Sequence, residues 1–189
     1  MVETKPQFLQ VIISGLGGQG ALLFGQLLVE AGMSKYKYVG YFPQYATIMR
    51  GGESECTVTL SDNEIDSLMT LEPQTAVVMA LPKLKIYEKR VKPGGILMID
   101  STVISEKIAR KDIKVFYIPA TQASADLGDK KVANLVFLGA YLEATKAVTL
   151  EKIEEVMKKK LKGKESMLAL NKRALQEGTR LIANYGKGN

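Results

Sequence analysis

Val11-Ile12-Ile13-Ser14-Gly15-Leu16-Gly17-Gly18-Gln19-Gly20 runs an apolar strand into a glycine turn, and a helical pattern begins at Ala21 without a linker. A chain that turns this way presents bare backbone amides at a helix N-terminus, where unsatisfied N–H groups and the positive end of the helix dipole favour an anion. The spacing Gly15-x-Gly17-x-x-Gly20 satisfies the dinucleotide fingerprint, with a strand before it and a helix after. The acidic residue that should end the second strand and hold a ribose is missing, because Tyr36–Pro43 ends in aromatic residues and proline. Glu30 falls inside the preceding helix and Glu53 well past the strand end. The glycines therefore leave three readings open: a dinucleotide, another phosphate-bearing or protein ligand, or close packing of strand on helix.

The rest of the sequence extends this unit into an α/β protein. Ala21–Ser34 reads as a first crossover helix, Tyr36–Phe42 as an aromatic strand, and Glu53–Leu60 alternates as a half-buried strand expected toward a sheet edge. Thr75–Leu81 and Ile96–Asp100 read as buried parallel strands, separated by a helix that starts at Pro82 and by the turn Pro93-Gly94-Gly95. Ile113–Ile118 gives one more strand, with a helix over Ala120–Leu127. Val132–Ala147 is apolar on nearly every side and should cross the sheet or fill a subunit interface. Thr149 caps a helix carrying Ile153, Val156, Met157 and Leu161, and Leu168, Leu175 and Ile182 repeat along a last one. The expectation is a Rossmann-like, doubly wound, mainly parallel sheet with additional C-terminal helices, residues 1–189 forming a single domain.

Composition narrows the chemistry. The 189 residues include one cysteine and no histidine. Histidine-based triads, histidine–zinc sites and cysteine-only metal or iron–sulfur sites are thus unavailable within the chain; if the protein takes part in an enzyme, its redox centres and main acid–base groups are expected on another chain. Cys56 reads as a small strand residue rather than a nucleophile. A net charge of +6 is spread along the sequence and seldom interleaved with aromatics, which argues against nucleic acid. The run Lys158-Lys159-Lys160 with Lys162 and Lys164 shares its helix with Glu151, Glu154 and Glu155, and reads first as a solvated face; docking of an acidic partner or steering of an anionic cofactor are the other readings. With no apolar run near the ~20 residues of a membrane span and no signal-peptide plan at the N-terminus, a cytoplasmic location is expected.

A second constellation follows the aromatic strand: Tyr41-Phe42-Pro43-Gln44-Tyr45, then Met49-Arg50-Gly51-Gly52-Glu53-Ser54-Glu55-Cys56. In a doubly wound sheet this loop should lie beside the glycine turn, with Arg50 as a fork of donors for phosphate or carboxylate and Gly51-Gly52 allowing close backbone approach. Taken with Gly15-Leu16-Gly17-Gly18-Gln19-Gly20, Pro93-Gly94-Gly95, Asp100-Ser101 and Ala133-Asn134-Leu135-Val136 with Leu138-Gly139-Ala140, it resembles the gamma subunit of the 2-oxoacid:ferredoxin oxidoreductases.

That resemblance implies a subunit, inactive alone, of an oxidoreductase that decarboxylates a 2-oxoacid, joins the acyl group to coenzyme A and passes electrons to ferredoxin. Thiamine diphosphate and iron–sulfur clusters would lie on alpha, beta and possibly delta subunits. This chain would help admit or hold coenzyme A through Gly15, Gly17, Gly18, Gln19, Gly20, Tyr45, Arg50, Gly51 and Gly52, with no catalytic or metal-binding residue of its own. Ala46 and Ile48 stand where the family usually has glycine and an acidic residue, and Leu68 where proline is common. The Tyr-Phe-Pro-x-Tyr form leans toward the pyruvate, branched-chain or 2-oxoglutarate enzymes, with 2-oxoglutarate preferred, and away from the small indolepyruvate subunit. Other readings are a free-standing nucleotide-binding regulatory module, and a structural adaptor docking through 132–147. An isolated chain is expected to self-associate through surfaces meant for partners.

Overall fold

A computed structural model describes residues 7–45 and 52–185. In chain order these form β1 (Phe8–Leu16), α1 (Ala21–Gly32), β2 (Tyr38–Tyr45), β3 (Glu53–Ser61), β4 (Thr75–Val78), α2 (Leu84–Arg90), β5 (Ile96–Asp100), β6 (Lys114–Ile118), α3 (Ala120–Asp126), α4 (Ala133–Thr145), α5 (Leu150–Lys160) and α6 (Glu165–Ala183). Short 3-10 turns at Leu81–Lys83 and Lys130–Val132 lead into α2 and α4.

The six strands lie in one sheet in the order β2-β3-β1-β4-β5-β6. β1, β4, β5 and β6 pair in parallel, whereas β3 runs antiparallel to both β1 and β2. The sheet is mainly parallel, as expected, but β3 sits inside it and β2 forms the edge. The alternation of β3 does not mark an edge exposed to water: Cys56, Val58 and Leu60 pack toward α1, and on the other face Thr57, Thr59 and Ser61 are also buried. Gln10 Nε2 donates to Thr59 Oγ1 at 3.1 Å, satisfying polar groups that the alternation alone would assign to solvent.

One core joins the inner faces of β1, β3, β4, β5 and β6 to α1 and α4; the other packs α2 against Ile12, Ala76, Val78, Leu97 and Ile99. α4 is buried from Asn134 through Leu142, which explains its lack of a polar face. It is an internal helix covered by α6, so 132–147 is not the exposed docking element of the adaptor reading. Contact between the two helices is at backbone distance. A Cβ on Gly139 would lie 1.9 Å from the Leu175 carbonyl oxygen, and one on Gly178 would lie 1.9 Å from that of Val136. α5 and α6 are amphipathic and lie on the surface; Thr149 caps α5 by accepting from Lys152 N, and Lys172 Nζ meets Glu154 at 2.7 Å.

Cys56 is fully buried, and its Sγ donates to the Ala21 carbonyl at 3.4 Å. Burial, with the nearby Glu55 charge second, pushes the thiol up to about 12. Between the ordinary thiol range and that value the unfolded chain sheds a proton that the folded chain keeps, so stability falls as pH rises, by at most about 1.4 kcal/mol per pH unit from this group. Urea titrations between roughly pH 8 and 10 should show a steeper alkaline loss for the parent chain than for Cys56→Ala; equal slopes would remove the thiol from the account.

Candidate functional site

Gly20 adopts a left-handed conformation (φ 80°, ψ 21°) as N-cap of α1, and Gly18 also has positive φ. A side chain at Gly20 would be strained there and would meet Asn134, whose Nδ2 donates to the Gly20 carbonyl at 3.1 Å from α4. The Gln19 carboxamide folds back into the turn: Oε1 accepts from Leu16 N at 2.6 Å and Nε2 donates to the Met79 carbonyl at 3.4 Å. Met79 N in turn donates to the Ser14 carbonyl at 2.9 Å, which fixes the turn to the end of β4.

Gly17 N donates to the Gly52 carbonyl at 2.8 Å. The end of the second signature therefore sits against the first, as the sequence implies, but through β3 rather than the tip of β2. Tyr45 is placed by its backbone pairing with Ser54. Arg50 and Gly51, together with Ala46 and Ile48, lie outside the described residues.

Insertion of β3 puts β2 two strand spacings, about 10 Å, from β1. In a dinucleotide-binding unit the ribose-holding acid ends a strand beside the glycine turn, and here that neighbour runs in the opposite direction. Glu53 is closer to the turn than its place in the sequence suggests, since the antiparallel register sets it opposite Leu16. Its carboxylate is engaged with Lys83 Nζ at 2.8 Å.

At the carboxyl ends of the parallel strands lies a crevice of about 170 Å³. Gly18 and Gln19 line it from the turn, Met79 and Asp100 from the ends of β4 and β5, Thr121 from α3, and Lys130 and Lys131 from the turn before α4. Asp100 is 1% exposed. Its Oδ2 accepts from Thr121 Oγ1 at 2.6 Å and Thr121 N at 3.2 Å, while Oδ1 accepts from Thr102 N at 3.1 Å. The carboxylate thus ties the segments after β5 and β6 together, and the exposed lysines supply positive charge at the mouth. Asp129 shapes their turn by accepting from Lys131 N at 2.9 Å.

Two ammonium groups at the mouth, beside the Gly18 turn, equip the crevice to receive an anionic group, while the Asp100 carboxylate that also lines it is occupied by its own donors. The one thiol, buried on β3 and held protonated, offers no nucleophile there. Sequence reasoning missed Met79, Thr121, Lys130 and Lys131, and it quoted Asp100 and Asn134 without a role. A readable signal was Asp100-Ser101-Thr102, an acidic residue closing a buried strand ahead of hydroxyl residues.

Residues 10–181 match the family profile described as pyruvate ferredoxin/flavodoxin oxidoreductase. The chain belongs to this family. It is 34% identical over 166 residues to the 2-oxoglutarate synthase subunit KorC of Methanothermobacter thermautotrophicus, covering 84% of this chain and 86% of that one. It is 31% identical over 176 residues to the ketoisovalerate oxidoreductase subunit VorA of the same organism, where 92% of this chain spans 36% of the relative. Among solved structures, the gamma subunit of a keto/oxoacid ferredoxin oxidoreductase from Geobacter sulfurreducens superposes with a TM-score of 0.80 at 26% identity, covering 94% of this chain and 97% of that one. A 2-oxoglutarate:ferredoxin oxidoreductase chain from Magnetococcus marinus, solved with 2-oxoglutarate, coenzyme A and succinyl-CoA bound, shares the fold with a TM-score of 0.87 at 21% identity, covering 97% of this chain and 32% of that one. Within the family the chain is of the gamma-subunit type.

Proposed function

We propose that this gamma-type chain forms one wall of the coenzyme A site in a multi-subunit 2-oxoacid:ferredoxin oxidoreductase, receiving a phosphate of the cofactor at the carboxyl-end crevice. The observation that carries the reading is the convergence of the Gly15–Gly20 turn, the Gly52 end of the second signature and the Lys130-Lys131 pair at one end of the sheet. A crevice of about 170 Å³ suits a phosphoryl group rather than a whole cofactor, so the remainder of coenzyme A would extend toward partner chains. Gly18 would contribute its amide, and Lys130 and Lys131 charge; Arg50, the further cation of the second signature, lies outside the described residues.

On this reading alpha, beta and possibly delta subunits hold thiamine diphosphate and iron–sulfur clusters, which supply the decarboxylation and electron-transfer chemistry. This chain binds and orients an anion and leaves the acyl carbon to its partners. 2-Oxoglutarate is the preferred substrate, with pyruvate and 2-oxoisovalerate as the neighbouring choices; likeness to KorC over most of both chains supports that order. A reducing, cytoplasmic compartment fits the free Cys56 thiol.

In the assembled enzyme, Lys130→Ala/Lys131→Ala should raise the KM for coenzyme A by about tenfold or more, as loss of a charge-assisted phosphate contact is worth 1.4 kcal/mol or above. The KM for the 2-oxoacid should stay within about twofold of the parent enzyme's, since the contact is made only to coenzyme A. An unchanged KM for coenzyme A, with assembly intact, would overturn the proposal.

A further inference from the structure

The lysine-rich end of α5 does not have the internal balance that its sequence suggests. Glu154 bonds Lys172 of α6 at 2.7 Å, Glu155 bonds Lys152 at 2.9 Å, and Glu151 lies two helical turns from Lys158, about 10 Å along the axis. Lys160 reaches across to Glu30 of α1 at 2.5 Å. Among the described residues no carboxylate lies within ion-pairing distance of Lys158, Lys159 or Lys162, and all three are exposed. These ammonium groups rim a groove of about 580 Å³ where α5 turns into α6, and Leu161 and Leu168 form its half-buried apolar floor.

We infer that this corner docks an acidic segment of a partner protein, one that sets apolar side chains on Leu161 and Leu168 and carboxylates against Lys158, Lys159 and Lys162. Charge complementarity selects the sign of the partner, and the apolar floor selects a protein segment over a bare polyanion. Nucleic acid fits poorly, because the groove offers no aromatic ring for base stacking. An anionic bilayer fits poorly as well, because the apolar side of α5, Ile153 and Met157, is buried in the fold and cannot insert. The groove is lined by none of the crevice residues, so this inference stands apart from the coenzyme A reading.

The test is zero-length carbodiimide coupling of the native assembly purified from its source, followed by peptide mass spectrometry, since the reagent joins an amine to a carboxylate only where the two touch. Expected are links from Lys158, Lys159 and Lys162 to one acidic, leucine- or isoleucine-bearing stretch of a second polypeptide. Their yield should fall about tenfold in about 0.5 M salt. The variant Lys158→Gln/Lys159→Gln/Lys162→Gln breaks no ion pair seen here, its fold is checked by circular dichroism, and its glutamines cannot couple. Its readout is affinity for a synthetic peptide of the linked stretch, expected to fall about tenfold and overturning the inference if unchanged. Links confined to this chain, no links from these lysines while other exposed lysines couple, or links that appear only after nuclease treatment would each overturn the inference.

Discussion

A Gly178→Ala chain is expected to melt roughly 6–12 °C below the parent. Overpacking of a tight interior contact costs about 3 kcal/mol, and a chain this long loses about 2–4 °C per kcal/mol. On helix propensity alone the change should stabilise α6, because alanine is better than glycine inside a helix by about 1 kcal/mol. Packing reverses the sign. The added methyl would stand 1.9 Å from the Val136 carbonyl oxygen and 2.8 Å from Ala140 N, both backbone atoms of α4 that cannot rotate aside. Only separation of the helices relieves the clash, and that also opens the contacts around Ala174 and Leu175, both fully buried. Gly139→Ala should behave alike, as it meets the Leu175 carbonyl oxygen from the opposite side. Thermal melts followed by circular dichroism, with exposed Ser166→Ala on α6 as control, decide the matter. A Gly178→Ala chain that melts at or above the parent would show that the helices are not in backbone contact.

The second large effect belongs to Asp100. Its buried carboxylate collects Thr102 N, Thr121 N and Thr121 Oγ1, so Asp100→Ala leaves three donors with no acceptor at the junction of β5, β6 and α3. Each such donor costs on the order of 1–3 kcal/mol, partly recovered where a group can turn toward water, and the expected net loss is about 3–4 kcal/mol by urea unfolding. Asp100→Asn keeps the shape but turns an amide NH2 toward one set of donors, so it should recover only about half. Hydrogen exchange provides a second readout: protection of the Thr121 amide should collapse in both variants while that of Val58, deep in β3, persists if the native sheet remains. Full stability in Asp100→Ala would mean that the loops after β5 and β6 hold themselves.

Much of the architecture was legible because each element carries its own local cause. The glycine turn, the Pro82 start, the Thr149 cap and the apolar runs of β4 and β5 are all set by neighbours within a few residues. What the sequence could not disclose depends on partners far along the chain. The alternation of β3 reveals that its two faces differ, but not that loop and helix cover the polar one or that β2 lies outside it. Gly139 was visible within Leu138-Gly139-Ala140, yet its purpose requires α6 to arrive some 40 residues later. At the candidate site the glycines could be read from pattern. Lys130 and Lys131 could not, as surface lysines become a feature only when the fold brings them to the mouth of the same crevice as Gly18.

The hydrogen bond from Gly17 to Gly52 ties the backbones of the two glycine-bearing signatures together, so substitutions in them should be epistatic. A replacement that shifts either backbone is felt at both, so exchanging one signature for a relative's version while keeping the other would create a mismatch inside a single structural unit. Variation in the two signatures should therefore travel as paired changes around Gly17 and Gly52, and a chimera that respects the pair should retain the stability that one cut between them loses.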